Sequence, residues 1–299
     1  MANVFLTDSN NNLSISLLKK LLSNGHHVTV LANTSDAAEE AERRGATVIW
    51  GDLDKIESYA ETLRHNDVVI HNSQILDLQH THTETNVIET IIKTLRGTNK
   101  TFIYTSNLWV LGDTRNPADE RSPLAPITLV APIAHNETLV RESARDGIRS
   151  IVVRPGLIYG SENAFVEELI RRGRKERTLS ITGSESNHLS LVHIDDVTEL
   201  FLLVINSGKA GSVYHAVDGR PVPTRELLEN IGKLFNIQNR EILNSDEAKK
   251  KYGALAEAYS LNQQIDNRLT REELKWQPKN TDLKKYLSEL ERSLTVEIR

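Results

Sequence analysis

The feature that most restricts the fold is a repeated alternation of short apolar runs with amphipathic stretches of helical period. Val4–Leu6, Val28–Leu31, Thr47–Trp50, Val68–Ile70, Phe102–Tyr104 and Ile151–Val153 read as buried strands, the last closed by Pro155. Between them, Leu13–Leu22, Asp36–Arg44, Ile56–Leu63, Val87–Leu95 and Thr138–Ala144 read as helices, with Gly25 and Gly45 as helix stops. Strands that alternate with helices build βαβ units, whose right-handed crossovers cover both faces of a parallel sheet. The expected fold is therefore α/β, a doubly wound, Rossmann-like sheet of about seven parallel strands.

Beyond Gly160 the rhythm loosens. Ala164–Arg172, Asp195–Asn206 and Thr224–Phe235 read as helices, the last with Thr224 as its cap. Leu189–Val192 and Val213–Ala216 read as strands, and the last sixty residues are mostly charged amphipathic helix. The organisation expected is a Rossmann-like domain of residues 1–160 with about 190–217, and a smaller C-terminal α+β lobe of about 161–189 and 218–299. Repeats, low-complexity segments and linkers are absent.

Composition narrows the function classes. A net charge of -5 and a pI near 6.1 argue against nucleic-acid or membrane-surface binding. With no cysteine there is neither a disulfide nor a thiolate nucleophile. The first residues lack a basic leader, and no apolar run approaches the ~18 residues needed to span a bilayer. A cytoplasmic protein is expected, with a small-molecule ligand and at most a second copy of itself, as a homodimer, for partners.

Several segments, in order, carry a resemblance. They are Gly51-Asp52-Leu53-Asp54, Asp67-Val68-Val69-Ile70-His71, Asn86-Val87, Phe102-Ile103-Tyr104-Thr105-Ser106, Gly112 and Asp119-Glu120. Arg154-Pro155-Gly156-Leu157-Ile158-Tyr159-Gly160, Val192-His193-Ile194-Asp195-Asp196-Val197 and Leu274-Lys275-Trp276-Gln277-Pro278 complete the series. The chain thus resembles the extended short-chain dehydrogenase/reductase family, the NAD-dependent epimerase/dehydratase group, over nearly its whole length. The resemblance implies a dinucleotide groove at Thr7, Asp8, Asn11, Asn33, Asp52 and Asn72, with Asp52 facing the adenine.

The departures from that family are as informative. Its Thr-Gly-x-x-Gly-x-x-Gly turn allows close backbone approach to a pyrophosphate. Here the turn is Thr7-Asp8-Ser9-Asn10-Asn11-Asn12-Leu13-Ser14, so Asp8, Asn11 and Ser14 replace the three glycines. Asp and Asn tolerate left-handed backbone, so the turn itself is expected to survive. A carboxylate at Asp8 repels phosphates at a helix N-terminus, and side chains at Asn11 and Ser14 occupy their space. Asn33 stands where NADP-preferring members carry an arginine, and Asn72-Ser73-Gln74 where small residues are usual. The expectation is no NAD(P) or weakly bound NAD(P).

The family's proton relay is a Ser/Thr with a Tyr-x-x-x-Lys pair. Asn107 takes the serine position, no tyrosine lies between Tyr104 and Tyr159, and no lysine between Lys100 and Lys175. Counted from Glu137, the two positions fall near Leu129 and Ile133, both apolar. Asn107, His71 and His135 are the candidate catalytic groups, His135 as a general base or a surface residue and His71 as a cleft residue or a satisfied buried histidine. Ser106, His135 and Glu137 supply the elements of a nucleophilic triad without a signature for one. His80 and His82 lack a carboxylate at metal-ligand spacing. Three readings stand: a non-redox descendant that binds a small molecule or performs a cofactor-free isomerisation, cyclisation or elimination; a divergent NAD(P)-dependent oxidoreductase or epimerase; and a regulatory pseudoenzyme.

Overall fold

The computed structural model describes residues 1–72 and 81–296. Its strands are β1 (Asn3–Leu6), β2 (His27–Ala32), β3 (Thr47–Trp50), β4 (Val68–His71), β5 (Thr101–Thr105), β6 (Arg149–Pro155), β7 (Leu157–Tyr159), β8 (Thr178–Ile181), β9 (His188–Leu189), β10 (Leu191–His193), β11 (Val213–Ala216), β12 (Val222–Pro223) and β13 (Asn239–Ile242). The α-helices are α1 (Asn12–Ser23), α2 (Ser35–Arg43), α3 (Ala60–His65), α4 (Thr81–Leu95), α5 (Ala131–Glu142), α6 (Phe165–Glu176), α7 (Ile194–Ser207), α8 (Thr224–Leu234), α9 (Ser245–Tyr252), α10 (Leu255–Tyr259), α11 (Arg268–Leu274) and α12 (Leu283–Val296). Among the described residues no helix is long and apolar enough to cross a membrane.

Seven strands form one sheet in the order β11-β6-β5-β4-β1-β2-β3, every pair parallel. The fold expected from the alternation is the one observed. Period-two alternation splits the core between two faces. Val4, Leu6, Val68, Ile70, Ile103, Ile151 and Val153 pack with α1 and α7 on one face. Phe5, Val69, Phe102, Tyr104 and Val152 pack with α4 and α5 on the other. Strand order reverses between β1 and β4, which opens a crevice beyond their C-terminal ends, the usual ligand position in such sheets.

A third cluster, with Val166, Leu169, Leu179, Leu227, Ile231 and Leu287, organises the smaller lobe around the parallel pair β8–β13. From there the chain returns to the sheet, where Leu274 and Trp276 enter the first cluster and Ile265 the second.

Some local expectations change. Helix α5 starts at Ala131, seven residues ahead of the expected Thr138, with Pro132 in its first turn where a missing N–H is harmless. The single strand expected at Leu189–Val192 is two, since β9 pairs antiparallel with β12 and β10 pairs parallel with β7. Thr224 is inside α8 rather than its cap, because Asn187 O accepts its hydroxyl proton at 3.0 Å.

Asp218, just beyond β11, is buried, and burial pushes its carboxyl up to about 6. Its folded pKa exceeds the unfolded value near 3.9, so the folded state holds the extra proton and stability falls as pH rises from about 4 through about 6. Asp218→Asn is expected to stabilise the protein at pH 7 by about 1–2 kcal/mol, with the gain gone at pH 4. Thermal melts at both pH values test this; an equal gain at each would refute it.

Candidate functional site

The turn after β1 is rebuilt around its own carboxylate. Asn11 is extended (φ -91°, ψ 159°) and caps α1, its Oδ1 accepting from Ser14 N at 2.8 Å. Asp8 accepts from Asn10 N at 3.0 Å, from Ser14 Oγ at 3.2 Å and from the Asn11 amide. Asn72, beyond β4, closes the knot: its Nδ2 donates to Ser14 Oγ at 2.9 Å and Asn11 Oδ1 at 3.2 Å. Its carbonyl accepts from Asn11 Nδ2 at 3.2 Å. The turn survives, but without the left-handed backbone expected of it, since every positive-φ residue outside glycine lies elsewhere. The three replaced glycines thus became three partners in one hydrogen-bonded unit.

Part of what a pyrophosphate would use at this turn is engaged within the turn itself. Such an anion needs the free N–H groups and the positive pole of the helix N-terminus. Here Asn11 Oδ1 holds the Ser14 N–H, and the Asp8 carboxylate sits beside the same pole. The adjoining depression of about 420 Å³ is lined by Thr7, Asp8, Asn33, Asp52 and Asp54, with no cation among its described residues. Asn33 is exposed and accepts from Asn10 Nδ2 at 2.8 Å. The depression's three carboxylates, Asp8, Asp52 and Asp54, make it negative among the described residues. Ser73 and Gln74 lie outside the described residues.

His71 is corrected from cleft residue to buried tie. It is fully buried, with Nδ1 2.7 Å from Thr7 Oγ1 and Nε2 3.0 Å from Glu84 Oε1. A carboxylate only accepts, so Nε2 carries the proton toward Glu84, and Thr7 donates to Nδ1. The ring, stacked 6.0 Å from Tyr104, links β1, β4 and α4. His135 is corrected too: it is exposed on α5, whose inner face is held by Ile133, Asn136, Glu137 and Val140. His135 and the cleft are not brought together, and the triad with Ser106 and Glu137 does not form. Instead Ser106 Oγ donates to Glu137 Oε2 at 3.0 Å, and Glu137 is bound by Arg154. His71→Ala is expected to cost about 2–4 kcal/mol, a cavity plus two broken hydrogen bonds, whereas His135→Ala should leave the melting temperature unchanged. A large His135 effect in denaturant unfolding would contradict this placement.

Leu129, on the 3-10 turn before α5, and Ile133 are buried in the second cluster. The two positions that would carry the phenol and ammonium are therefore filled with core. His80 lies outside the described residues, and His82 is exposed on α4. Among the described residues no three metal-ligating side chains converge.

What remains at the sheet's C-terminal edge is a cleft of about 380 Å³. Its floor is Pro155-Gly156-Leu157-Ile158, and Leu13, Trp109 and Phe165 form walls. Gly156 is required there, because a Cβ would stand 2.4 Å from Ser190 O. Asn107 lines the cleft, 7% exposed. Its Oδ1 accepts from Trp109 N at 3.0 Å, capping the 3-10 turn Leu108–Leu111, while its Nδ2 has no partner among the described residues. Ser161 Oγ, also on the cleft lining, is likewise unpartnered among them. Gln263 joins from far along the chain, donating to Leu108 O at 2.8 Å and Gly112 O at 3.0 Å, which leaves its carbonyl as an acceptor. Sequence reasoning missed Ser161 and Gln263; neither lies in a motif, and Gln263 reaches the cleft only because the chain returns from the smaller lobe.

Comparison with known proteins places these observations. The profile of the NAD dependent epimerase/dehydratase family matches residues 16–217. An uncharacterised protein of Schizosaccharomyces pombe is 28% identical over 288 residues, 94% of this chain and 96% of that one. A 4-hydroxy-2-methyl-3-oxo-4-farnesyl-3,4-dihydroquinoline-1-oxide ketoreductase of Stigmatella aurantiaca is 30% identical over 236 residues, covering 75% of this chain and 70% of the ketoreductase. Among solved structures, a dTDP-glucose 4,6-dehydratase from Bacillus anthracis in complex with NAD superposes with a TM-score of 0.81 at 14% identity, over 99% of this chain and 97% of the other, a likeness of fold.

Proposed function

Because the chain belongs to the NAD dependent epimerase/dehydratase family, we propose that it keeps the family's cleft as a small-molecule site while having lost hydride transfer and tight dinucleotide binding. The observation that carries this reading is the replacement of the tyrosine–lysine pair by Leu129 and Ile133, both folded into the core. A proton relay needs two ionisable groups on one helix face at the substrate, and neither position supplies one. The internal carboxylate at the phosphate turn supports the same reading from the cofactor side. The protein then either binds its ligand or promotes a cofactor-free isomerisation, cyclisation or elimination by positioning it, with Asn107 as the polar contact.

A second reading, a divergent NAD(P)-dependent carbonyl reductase, is favoured by the 30% identity to a ketoreductase. One experiment separates the two. Calorimetric titration with NADH and NADPH should show affinities weaker than micromolar, and NADH consumption with ketones or sugar nucleotides should not exceed background. A steady NADH-dependent turnover by the wild-type protein would establish the second reading.

A further inference from the structure

We infer that the cleft and a neighbouring chamber of the smaller lobe form one site for a neutral amphipathic molecule, with an acceptor oxygen over Asn107 and an apolar tail beyond Phe165. This rests on the reading of the cleft as a ligand site and adds the class of ligand.

The first observation is the cleft's charge. Among the described residues its polar lining is amides and hydroxyls (Asn11, Asn12, Asn72, Asn107, Ser161 and Gln263 among them), without one ionisable side chain. A charged ligand there would shed water without gaining a counter-charge. A neutral ligand pays no such penalty. Asn107 Nδ2 is buried and without a partner among the described residues, a donor left for a ligand acceptor. A ligand carbonyl supplies that acceptor.

The second observation is the chamber, about 200 Å³ between α6, β8, α8 and the α9–α10 pair. Leu169, Ile181, Leu189, Leu227 and Leu255 give it apolar walls. Its charged groups are already committed. Arg172 is bound to Glu168 and lies 5.3 Å over the Tyr252 ring, Glu168 also holds Arg171 at 2.7 Å, and Lys251 is taken by Glu176 and Ser180. Among the described residues no cation of the chamber is left over for a phosphate. A nucleotide diphosphate would have to break one of these ion pairs before it gained a counter-charge.

The third observation is the wall that the two spaces share. Phe165 lines both. Its ring lies 5.3 Å from Tyr259 of the chamber, which in turn meets Trp109 of the cleft edge-on at 6.1 Å. The partition is therefore aromatic, a surface that accepts a flat or aliphatic segment from either side. Together the two spaces fall within the roughly 300–1,000 Å³ typical of sites for drug-sized ligands.

The test uses the full chain and Nile red, a neutral, flat, carbonyl-bearing fluorophore. Saturable one-to-one binding with a blue-shifted emission is expected. 2-Tridecanone should displace the dye, whereas dodecanoate, with a chain of similar length but an anionic head, and UDP-glucose should need at least a hundredfold higher concentration. Leu255→Trp, which fills the chamber, and Asn107→Asp, which keeps the Oδ1 cap but replaces the donor with an anionic oxygen, should each weaken both neutral ligands tenfold or more, with melting curves confirming folded protein. Absence of dye binding by the wild type, equal displacement by dodecanoate or UDP-glucose, or unchanged affinity in folded Leu255→Trp would each overturn the inference. NADH titration is scored separately: tight NADH binding defeats the non-redox reading, whereas the competition between ketone and carboxylate still decides the class of ligand.

Discussion

Replacing Glu137 with alanine is expected to cost about 3–5 kcal/mol of folding stability, the loss typical of breaking one side of a buried ion pair. Glu137, Arg154 and His215 are all fully buried. Arg154 Nε donates to Glu137 Oε2 at 2.9 Å and Nη2 to Oε1 at 2.5 Å, a bidentate fork. Its Nη1 lies 3.1 Å from His215 Nε2. Arginine only donates, so Nε2 is the accepting nitrogen and Nδ1–H faces Asp266 O at 2.9 Å. His215 is thereby neutral, and burial, with Arg154 beside it, pushes its pKa down to about 3. Without Glu137 the guanidinium has only a neutral imidazole for company. The melting temperature should fall by on the order of 10 °C, Glu137→Gln by less, and chemical denaturation measures both. A loss under about 1 kcal/mol would mean that water reaches Arg154. The same network makes the fold acid-sensitive. The unfolded imidazole protonates near 6.5 and the folded one does not, so stability present above that pH is lost as pH falls toward 3.

The second large effect concerns the phosphate turn. Asp8→Gly, Asn11→Gly and Ser14→Gly together should raise NADH and NADPH affinity at least tenfold, or about 1.4 kcal/mol. Asp8→Asn alone tests the charge, because it retains the size of the side chain and removes the anion at the α1 N-terminus. Asp8 is partly exposed, so an electrostatic gain in the single variant should shrink in high salt. Calorimetry at two ionic strengths reads this directly. A triple variant with unchanged affinity would show that something other than the Asp8–Asn11–Ser14–Asn72 knot limits dinucleotide binding. Under the proposed function, stronger dinucleotide binding should not be accompanied by hydride transfer, since Leu129 and Ile133 remain apolar.

The doubly wound fold is legible in the sequence because period-two strands and period-3.6 helices are local patterns, and parallel pairing follows from their alternation. The absence of any tyrosine or lysine between Tyr104 and Tyr159 is equally legible. Expectation and structure part where local pattern is weak. The start of α5 is hidden because the stretch from Thr128 is apolar on more than one side, covered by the sheet and by α4. Leu189–Val192 looks like one strand because nothing local marks Ser190, whose carbonyl accepts from Leu157 N and ends β9's partnership before β10's begins. The two histidines are indistinguishable by composition; burial of His71 between Thr7 and Glu84 and exposure of His135 depend on which side of each element faces the sheet. Ser161, Gln263 and the aromatic contact of Phe165 with Tyr259 are invisible for a stronger reason. Gln263 and Tyr259 meet Asn107 and Trp109 through the chain's return from the smaller lobe, a long-range packing event accompanied by burial of Ile265, Leu274 and Trp276. Sequence therefore determined the scaffold and which residue types stand between Tyr104 and Tyr159, whereas tertiary packing alone decided which polar groups share the cleft, because side chains distant in the chain become neighbours only when the apolar surface between them is buried.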